Sequence, residues 1–102
     1  MAMKNPIHPG EILKSEFLDP LELTAYAFSK AIRMNRSGVS DIMNGERVIT
    51  AETALRFARF FGNSPQFWLN LQDEYNLRIA DRRVGRQIAK DVTPFREVSV
   101  ST

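Results

Sequence analysis

The sequence predicts a single all-α domain of five helices. Three observations support this fold class. A proline or a helix-capping residue precedes each of five apolar segments, and the apolar residues within those segments recur every three or four positions. The alternation typical of a strand is confined to 96–100. The length of 102 residues allows one domain with a modest core.

The composition excludes several classes of protein. The chain has no Cys, which removes disulfides, thiolate metal sites and Cys nucleophiles, and its one His argues against a His-rich metal site or a catalytic triad. No apolar run approaches the roughly 20 residues that span a bilayer, and no signal-peptide block is present. Acidic residues are scattered without a nucleophile beside them. We therefore expect a cytoplasmic protein that binds and does not catalyse, without metal or cofactor.

Proline and threonine mark the first two helices. Pro9 stands where a first helical residue would lie, and Pro20 ends that helix near 17–18, because the residue before proline avoids helical backbone. We interpret His8 as a cap or surface residue and not as a catalytic base. Thr24 is expected to cap the second helix through its hydroxyl.

The same kinds of signal predict three further helices. The expected caps and spans are Asn35 for 36–44, Thr50 for 51–61, and Ser64 for a helix from Pro65 to Asp81 or as far as Ile88. Gly45 and Gly62 follow two of them, where left-handed backbone ends a helix. The inner stripe of the fourth helix is predicted to hold Ala54, Leu55, Ala58 and Phe61. Residues 96–100 form either a short strand that needs a partner or a disordered tail.

Two short helices joined by three residues, 33–35, form a helix-turn-helix pattern. Residues expected to face the core are Phe28, Ile32, Met34, Val39 and Ile42. The opposite face of the second helix carries Arg36, Ser37, Ser40, Asp41 and Asn44. A face of small polar residues with an Arg at its start suits the major groove of DNA, where Arg can pair with guanine. A solvated face on a purely structural helical hairpin is the alternative.

The sequence resembles the HigA/VapI-type antitoxins of the Xre-like helix-turn-helix superfamily over residues 5–80. The matching blocks are NPIHPGEIL at 5–13, FLDPL at 17–21, VSDIMNG at 39–45, ITAETALR at 49–56 and FFGNSPQFWLNLQ at 60–72. The stretch SPQFWLNLQ separates this branch from generic Xre repressors.

The resemblance implies a lambda-repressor-like DNA-binding domain over 1–90, with a dimerising fifth helix, and a tail over 91–102. The implied partners are double-stranded operator DNA, a second copy of the chain, and a HigB-like toxin, an mRNA endonuclease that the antitoxin holds inactive. Toxin and antitoxin together would repress their own operon. The implied base contacts are Arg36, Ser37 and Ser40, and the implied phosphate contacts are Thr24, Tyr26, Lys30, Asn44 and Arg47.

Three residues depart from what such a motif favours. Arg33 holds a turn position usually occupied by Gly, so it must adopt an uncommon backbone angle or the turn must differ. Ala25 replaces a Gln that often binds phosphate. Gly38 lies inside the recognition helix, at a cost of about 1 kcal/mol relative to Ala. We interpret Gly38 as drift at an exposed position, the alternative being a close approach of the backbone to DNA.

The predicted fifth helix carries an aromatic stretch and a basic stretch. Phe67, Trp68, Leu71 and Tyr75 are expected to form core plus dimer interface, in preference to a ligand pocket. Between 78 and 90, five basic residues face one acidic residue. That segment is either a solvated face or a patch that binds phosphate or a partner.

Three hypotheses of function remain from the sequence. The first is an antitoxin that represses its own operon, and the second is a stand-alone Xre-type regulator without a toxin. The third is a protein-interaction module whose DNA face has decayed. Arg36, Lys30 and Arg47 favour the first two. A toxin could contact the N-terminal segment, the basic helix end or 96–100, and the sequence does not choose among them.

Overall fold

The computed structural model describes residues 5–96, which form five helices and no strand. Helix α1 begins as Pro9–Ile12 and continues without a break as a π-helical segment, Leu13–Leu18. The others are α2 (Ala25–Ala31), α3 (Arg36–Met43), α4 (Ala51–Phe61) and α5 (Pro65–Asp91). The predicted all-α class is confirmed.

Four helices begin at residues whose side chains accept a hydrogen bond from the first turn. Thr24, Thr50 and Ser64 cap α2, α4 and α5, as predicted, each through its hydroxyl oxygen. His8 caps α1 through Nδ1, which accepts the Gly10 N–H at 2.9 Å. Asn35 holds the N-cap position of α3, but its side chain makes no capping bond.

The core is built around one tryptophan. Trp68, on α5, is 0% exposed, and its indole N–H donates to Asn63 Oδ1 at 3.0 Å. The Phe17 and Phe57 rings lie 4.8 Å and 5.1 Å from its ring, centroid to centroid, in tilted and edge-on arrangements. Ser29 of α2 is also almost fully buried, and its hydroxyl donates to the Tyr26 carbonyl at 2.8 Å.

The wide turn of the π-helical segment orients the end of α1 toward this core. The Asp19 N–H bonds to the Lys14 carbonyl, five residues back. That spacing brings both Leu13 and Leu18 into the core, where each is almost fully buried. The helix ends at Leu18, as the position of Pro20 predicted.

Two predictions about helices need correction. Leu55 does not belong to the inner stripe of α4, because it is 59% exposed while Phe57 is fully buried. The fifth helix ends at Asp91, ten residues beyond the shorter span and three beyond the longer one. The possible strand at 96–100 lies outside the described residues, except for Arg96.

Candidate nucleic-acid interface

The turn between α2 and α3 closes on Arg33. This residue has φ 59°, so the uncommon backbone angle expected of a non-Gly residue here is confirmed. Its N–H bonds to the Lys30 carbonyl, and the next N–H, of Met34, bonds to the Ser29 carbonyl at 2.9 Å. These bonds end α2 and set the angle at which α3 leaves it.

Arg56 of α4 supports this turn, a role that was not predicted from the sequence. Its Nη1 donates to the carbonyls of Ile32, at 2.9 Å, and Arg33, at 3.3 Å. Carbonyls at the end of a helix have no partner within the helix, so the guanidinium satisfies two of them. Glu52 orients Arg56 through an ion pair of 3.0 Å. The spacing of four residues between Glu52 and Arg56 is the sequence feature that could have predicted this ion pair.

Three of the predicted DNA contacts form one exposed cluster. The Lys30 ammonium lies 5.2 Å from the centre of the Tyr26 ring, and the Arg36 guanidinium lies 6.0 Å from it. The ring is more than half exposed. Tyr26 therefore lies within cation–π range of a lysine of its own helix, α2, and of the first residue of α3.

Arg47 places a second positive charge beside α3. A Cβ built on Gly38 would lie 3.1 Å from the Arg47 Nη1 and 3.5 Å from the Met34 Cε. Gly38 is buried, so its interpretation as drift at an exposed position is wrong. The missing side chain leaves room for the Arg47 guanidinium against α3.

The remaining predicted contacts lie on the outer side of α3 or at helix ends. Ser37 and Asn44 are exposed, and Ser40 is half-buried. Thr24 uses its hydroxyl oxygen to accept the Ala27 N–H at 3.0 Å, which leaves its hydroxyl proton free to donate. The exposed amide of Asn35, which the sequence predicted only as a cap, is a further polar group at the start of α3.

The electrostatics of this face depend on which cations have a partner. Ion pairs within 5–96 join Lys14 to Asp19, Glu52 to Arg56, and Glu74 to Arg78. Among the same residues, Lys30, Arg36 and Arg47 have no carboxylate within ion-pair distance. Their charge is therefore available to an external anion.

Gln72 holds the segment that carries Arg47. This side chain of α5 is almost fully buried, and its Oε1 accepts the Ile49 N–H at 2.8 Å. Its Nε2 donates to Asn76 Oδ1 at 3.0 Å. A bond between residues 23 positions apart thus fixes the segment between α3 and α4 to α5.

The residues predicted for a dimer interface are mostly engaged within the chain. Trp68 lies in the core and is fully buried, so its side chain cannot contact a second copy of the chain. The prediction that Trp68 belongs to the dimer interface is therefore corrected. The ring of Tyr75 lies edge-on to His8, 4.9 Å away, and Leu71 packs against the core. Phe67 is 37% exposed. For Phe67, Leu71 and Tyr75 a dimer contact stays a prediction.

Two other classes of site are absent from residues 5–96. No helix in this part of the chain is long and apolar enough to cross a membrane. No group of three His, Cys, Asp or Glu side chains in it is arranged to hold a metal ion.

Comparison with known proteins places the same segment in a family. A family model described as helix-turn-helix matches residues 15–68. Virulence-associated protein I of Dichelobacter nodosus is 47% identical over 76 residues, which are 74% of this chain and 70% of that protein. Antitoxin HigA-1 of Vibrio cholerae is 42% identical over 90% of this chain and 86% of that antitoxin. The structure of the Pseudomonas aeruginosa antitoxin HigA with the higBA promoter has a TM-score of 0.86 and 42% identity, and covers 88% of this chain and 98% of that one.

Proposed function

Because this chain belongs to the helix-turn-helix family, and within it to the HigA antitoxins, we propose that it is the antitoxin of a HigBA-like module. In this role it binds operator DNA as a dimer in the cytoplasm and represses its own operon. It also binds a HigB-like toxin and holds it inactive. The function is binding, with no catalysis.

The observation that best supports DNA binding is the cluster formed by Tyr26, Lys30 and Arg36. Two unpaired cations lie 5.2 Å and 6.0 Å from the centre of the Tyr26 ring, and one of them, Arg36, begins α3, where a recognition helix reaches base edges. Arg47 adds a cation beside the same helix, across Gly38.

We assign different tasks to the two arginines. Arg36, on the exposed first turn of α3, contacts bases, where a good bidentate pair with guanine discriminates by about 1–3 kcal/mol. Arg47 lies beside the helix and contacts phosphate, as do Lys30, Thr24, Tyr26 and Asn44. Phosphate contacts add affinity without sequence preference and weaken as salt rises. Ser37 and Ser40 face the bases behind Arg36.

Selection from a pool of random duplexes tests this division. Arg36→Ala should relax the selected sequence, whereas Arg47→Ala should keep the sequence, bind more weakly and lower the salt dependence by about one released counterion. Lys14→Ala is the matched control, because it removes a cation that is already paired with Asp19. Unchanged sequence preference in both arginine variants would show that α3 is not the recognition helix.

Toxin binding is tested separately, by co-expression with the neighbouring reading frame. The antitoxin role predicts that a basic product of about one hundred residues co-purifies with this chain and is not lethal beside it. If that product stays lethal and unbound while operator binding persists, the chain is a stand-alone Xre-type regulator.

A further inference from the structure

A groove lies beside the turn of the helix-turn-helix, on the side of α4 that faces away from the core. Its lining on α4 follows helical spacing and consists of Glu52, Leu55, Arg56, Arg59 and Phe60. The end of α2 and the following turn, residues 31–33, line its other side. The groove encloses about 710 Å³, a volume within the range of binding sites.

This groove combines exposed apolar surface with unpaired positive charge. Leu55 is 59% and Phe60 39% exposed, so both large apolar side chains are open to solvent. Among residues 5–96, Arg33 and Arg59 have no carboxylate within ion-pair distance. Exposed apolar patches bordered by polar groups mark interaction sites. An occupant therefore needs an apolar side chain and, next to it, a carboxylate.

The α1–α2 loop, residues 19–23, has the complementary chemistry. Leu21 is 56% exposed within it. Its neighbour in sequence, Glu22, is also exposed and has no basic side chain within ion-pair distance in the described part of the chain. The α1–α2 loop therefore presents an apolar side chain next to an unpaired carboxylate, which is what the groove requires.

Backbone hydrogen bonds fix the shape of the α1–α2 loop. The Glu22 N–H bonds to the Asp19 carbonyl at 3.0 Å, and the Leu23 N–H bonds to the Leu18 carbonyl at 2.9 Å. The Leu23 side chain packs against the core. Glu22 has φ 54°, in the left-handed region that favours glycine, and strained residues of this kind are concentrated at functional positions. A loop whose shape is fixed in advance loses little conformational entropy when it binds.

We propose that the groove of this chain is occupied by the α1–α2 loop of a second copy. Leu21 of one copy packs against Leu55 and Phe60 of the other, and Glu22 pairs with Arg59. No residue of the loop lines the groove of its own chain. The two surfaces are instead separated by α2, whose seven residues span about 10 Å.

The same contact forms twice between two copies. The loop precedes the first residue of α2, and the groove includes its last residue, Ala31. When two α2 helices lie antiparallel, the loop of each copy faces the groove of the other, and both contacts are related by one two-fold axis. This interface uses α2 and α4, so it leaves the dimer contacts predicted on α5 free.

Both surfaces border the helix-turn-helix, which links the interface to operator binding. The loop ends beside Thr24, the N-cap of α2, and the groove includes Arg33 of the turn. In this arrangement the interface joins dimers on adjacent operators, so that binding of the first dimer favours binding of the second. This consequence rests on the proposed function, whereas the contact between copies does not.

Cysteine cross-linking without DNA tests the contact, since the chain contains no Cys of its own. Under mild oxidation, a mixture of Leu21→Cys and Leu55→Cys chains should form a mixed disulfide, because the two positions meet across the interface. A mixture of Leu21→Cys and Ser37→Cys chains is the matched control, because Ser37 is exposed on α3, outside the groove. The control should link about tenfold more slowly, since no contact raises the local concentration of its thiols. Equal rates of linking in the two mixtures would overturn the proposal.

Exchange of charges tests the pairing of Glu22 with Arg59. Glu22→Arg alone and Arg59→Glu alone should each weaken assembly beyond the dimer by about tenfold in sedimentation, because like charges then meet at both contacts. An equal mixture of the two variants should restore assembly, because opposite charges meet again at both contacts. Glu16→Arg, at an exposed position on α1 outside the loop, is the matched control and should assemble as the unmodified chain does. If neither variant weakens assembly, or if the mixture does not restore it, the proposal is wrong.

Duplexes that carry two copies of the sequence selected by the unmodified chain separate this proposal from the proposed function. Leu55→Ser should bind a duplex with one site as the unmodified chain does, and should lose the cooperative gain on the duplex with two sites. If the unmodified chain selects no sequence but cross-links as expected, the proposed function fails and the interface stands. If it binds its operator and does not cross-link, only the interface fails. A Leu55→Ser chain that assembles normally but no longer co-purifies with the toxin would assign the groove to the toxin and overturn the proposal.

Discussion

Replacing Gln72 by Leu should destabilise the domain out of proportion to the change in size. The substitution keeps an apolar stem of similar volume but removes the oxygen that accepts the Ile49 N–H at 2.8 Å. Ile49 and Gln72 are both almost fully buried, so water cannot replace that acceptor. The buried N–H is then left without a partner.

The size of this loss in stability follows from the unpaired Ile49 N–H. A buried backbone N–H without a partner costs about 1–3 kcal/mol, and the added apolar burial of Leu offsets part of it. The lost bond to Asn76 adds little, because the Asn76 amide is exposed and can bind water. We expect a loss of about 1.5 kcal/mol in the free energy of unfolding, which lowers the Tm of a domain of this size by about 6–12 °C.

Urea and thermal unfolding followed by circular dichroism measure this change. Gln66→Leu is the matched control, since Gln66 lies on the same helix, also donates its amide to an Asn four residues on, and is exposed. The control should change stability by less than about 0.5 kcal/mol. If Gln72→Leu is as stable as Gln66→Leu, the bond from α5 to the Ile49 segment contributes nothing, and our account of how Arg47 is positioned fails.

Three further predictions concern other contacts. Burial lowers the pKa of His8, and the charge of Glu11 raises that pKa by a smaller amount. The unfolded chain therefore binds the extra proton more readily than the folded chain does. The stabilisation from the His8 cap is complete above about pH 6.5 and is lost as pH falls through the folded pKa. In His8→Asn, which keeps a capping oxygen, urea unfolding should depend less on pH between about 7 and 5, and an unchanged dependence would contradict this account. Gly10→Ala should lower the free energy of unfolding, measured in urea, by about 2–3 kcal/mol, because the new Cβ would meet the Ile42 backbone carbonyl. Gly85→Ala should be tolerated, because only the flexible Asp81 carboxylate must move. Arg33→Gly should raise the unfolding free energy, by up to about 1 kcal/mol, as it removes left-handed strain; a decrease would mean that the arginine side chain stabilises the turn.

The boundaries of most helices could be predicted because they depend on local chemistry. Thr24, Thr50 and Ser64 cap helices with their own hydroxyls, and Pro20 ends α1 through its own ring. These effects act within a few residues, so the sequence contains all that is needed to predict them.

Periodicity alone was not sufficient for residues whose burial depends on a distant partner. Leu55 and Phe57 both fit an apolar stripe on α4, and the aromatic cluster around Trp68 decides that Phe57 is the buried one. Gly38 was interpreted as drift because the reason for its small size could not be read from neighbouring residues. The side chain that lies where a Cβ of residue 38 would point belongs to Arg47, nine positions further along the chain and beyond a turn.

The sequence by itself determined the all-α class, the helix-turn-helix and its place among HigA-type antitoxins, because caps, apolar spacing and motif blocks are local features of the chain. Only the tertiary structure decided that Arg56 closes the turn, that Gln72 fixes the segment bearing Arg47, and that Tyr26, Lys30 and Arg36 form one cluster. Most of these contacts join residues on different elements, the exception being the contact of Lys30 with Tyr26 within α2. Their distances depend on how the helices pack, and that packing is set by the whole core.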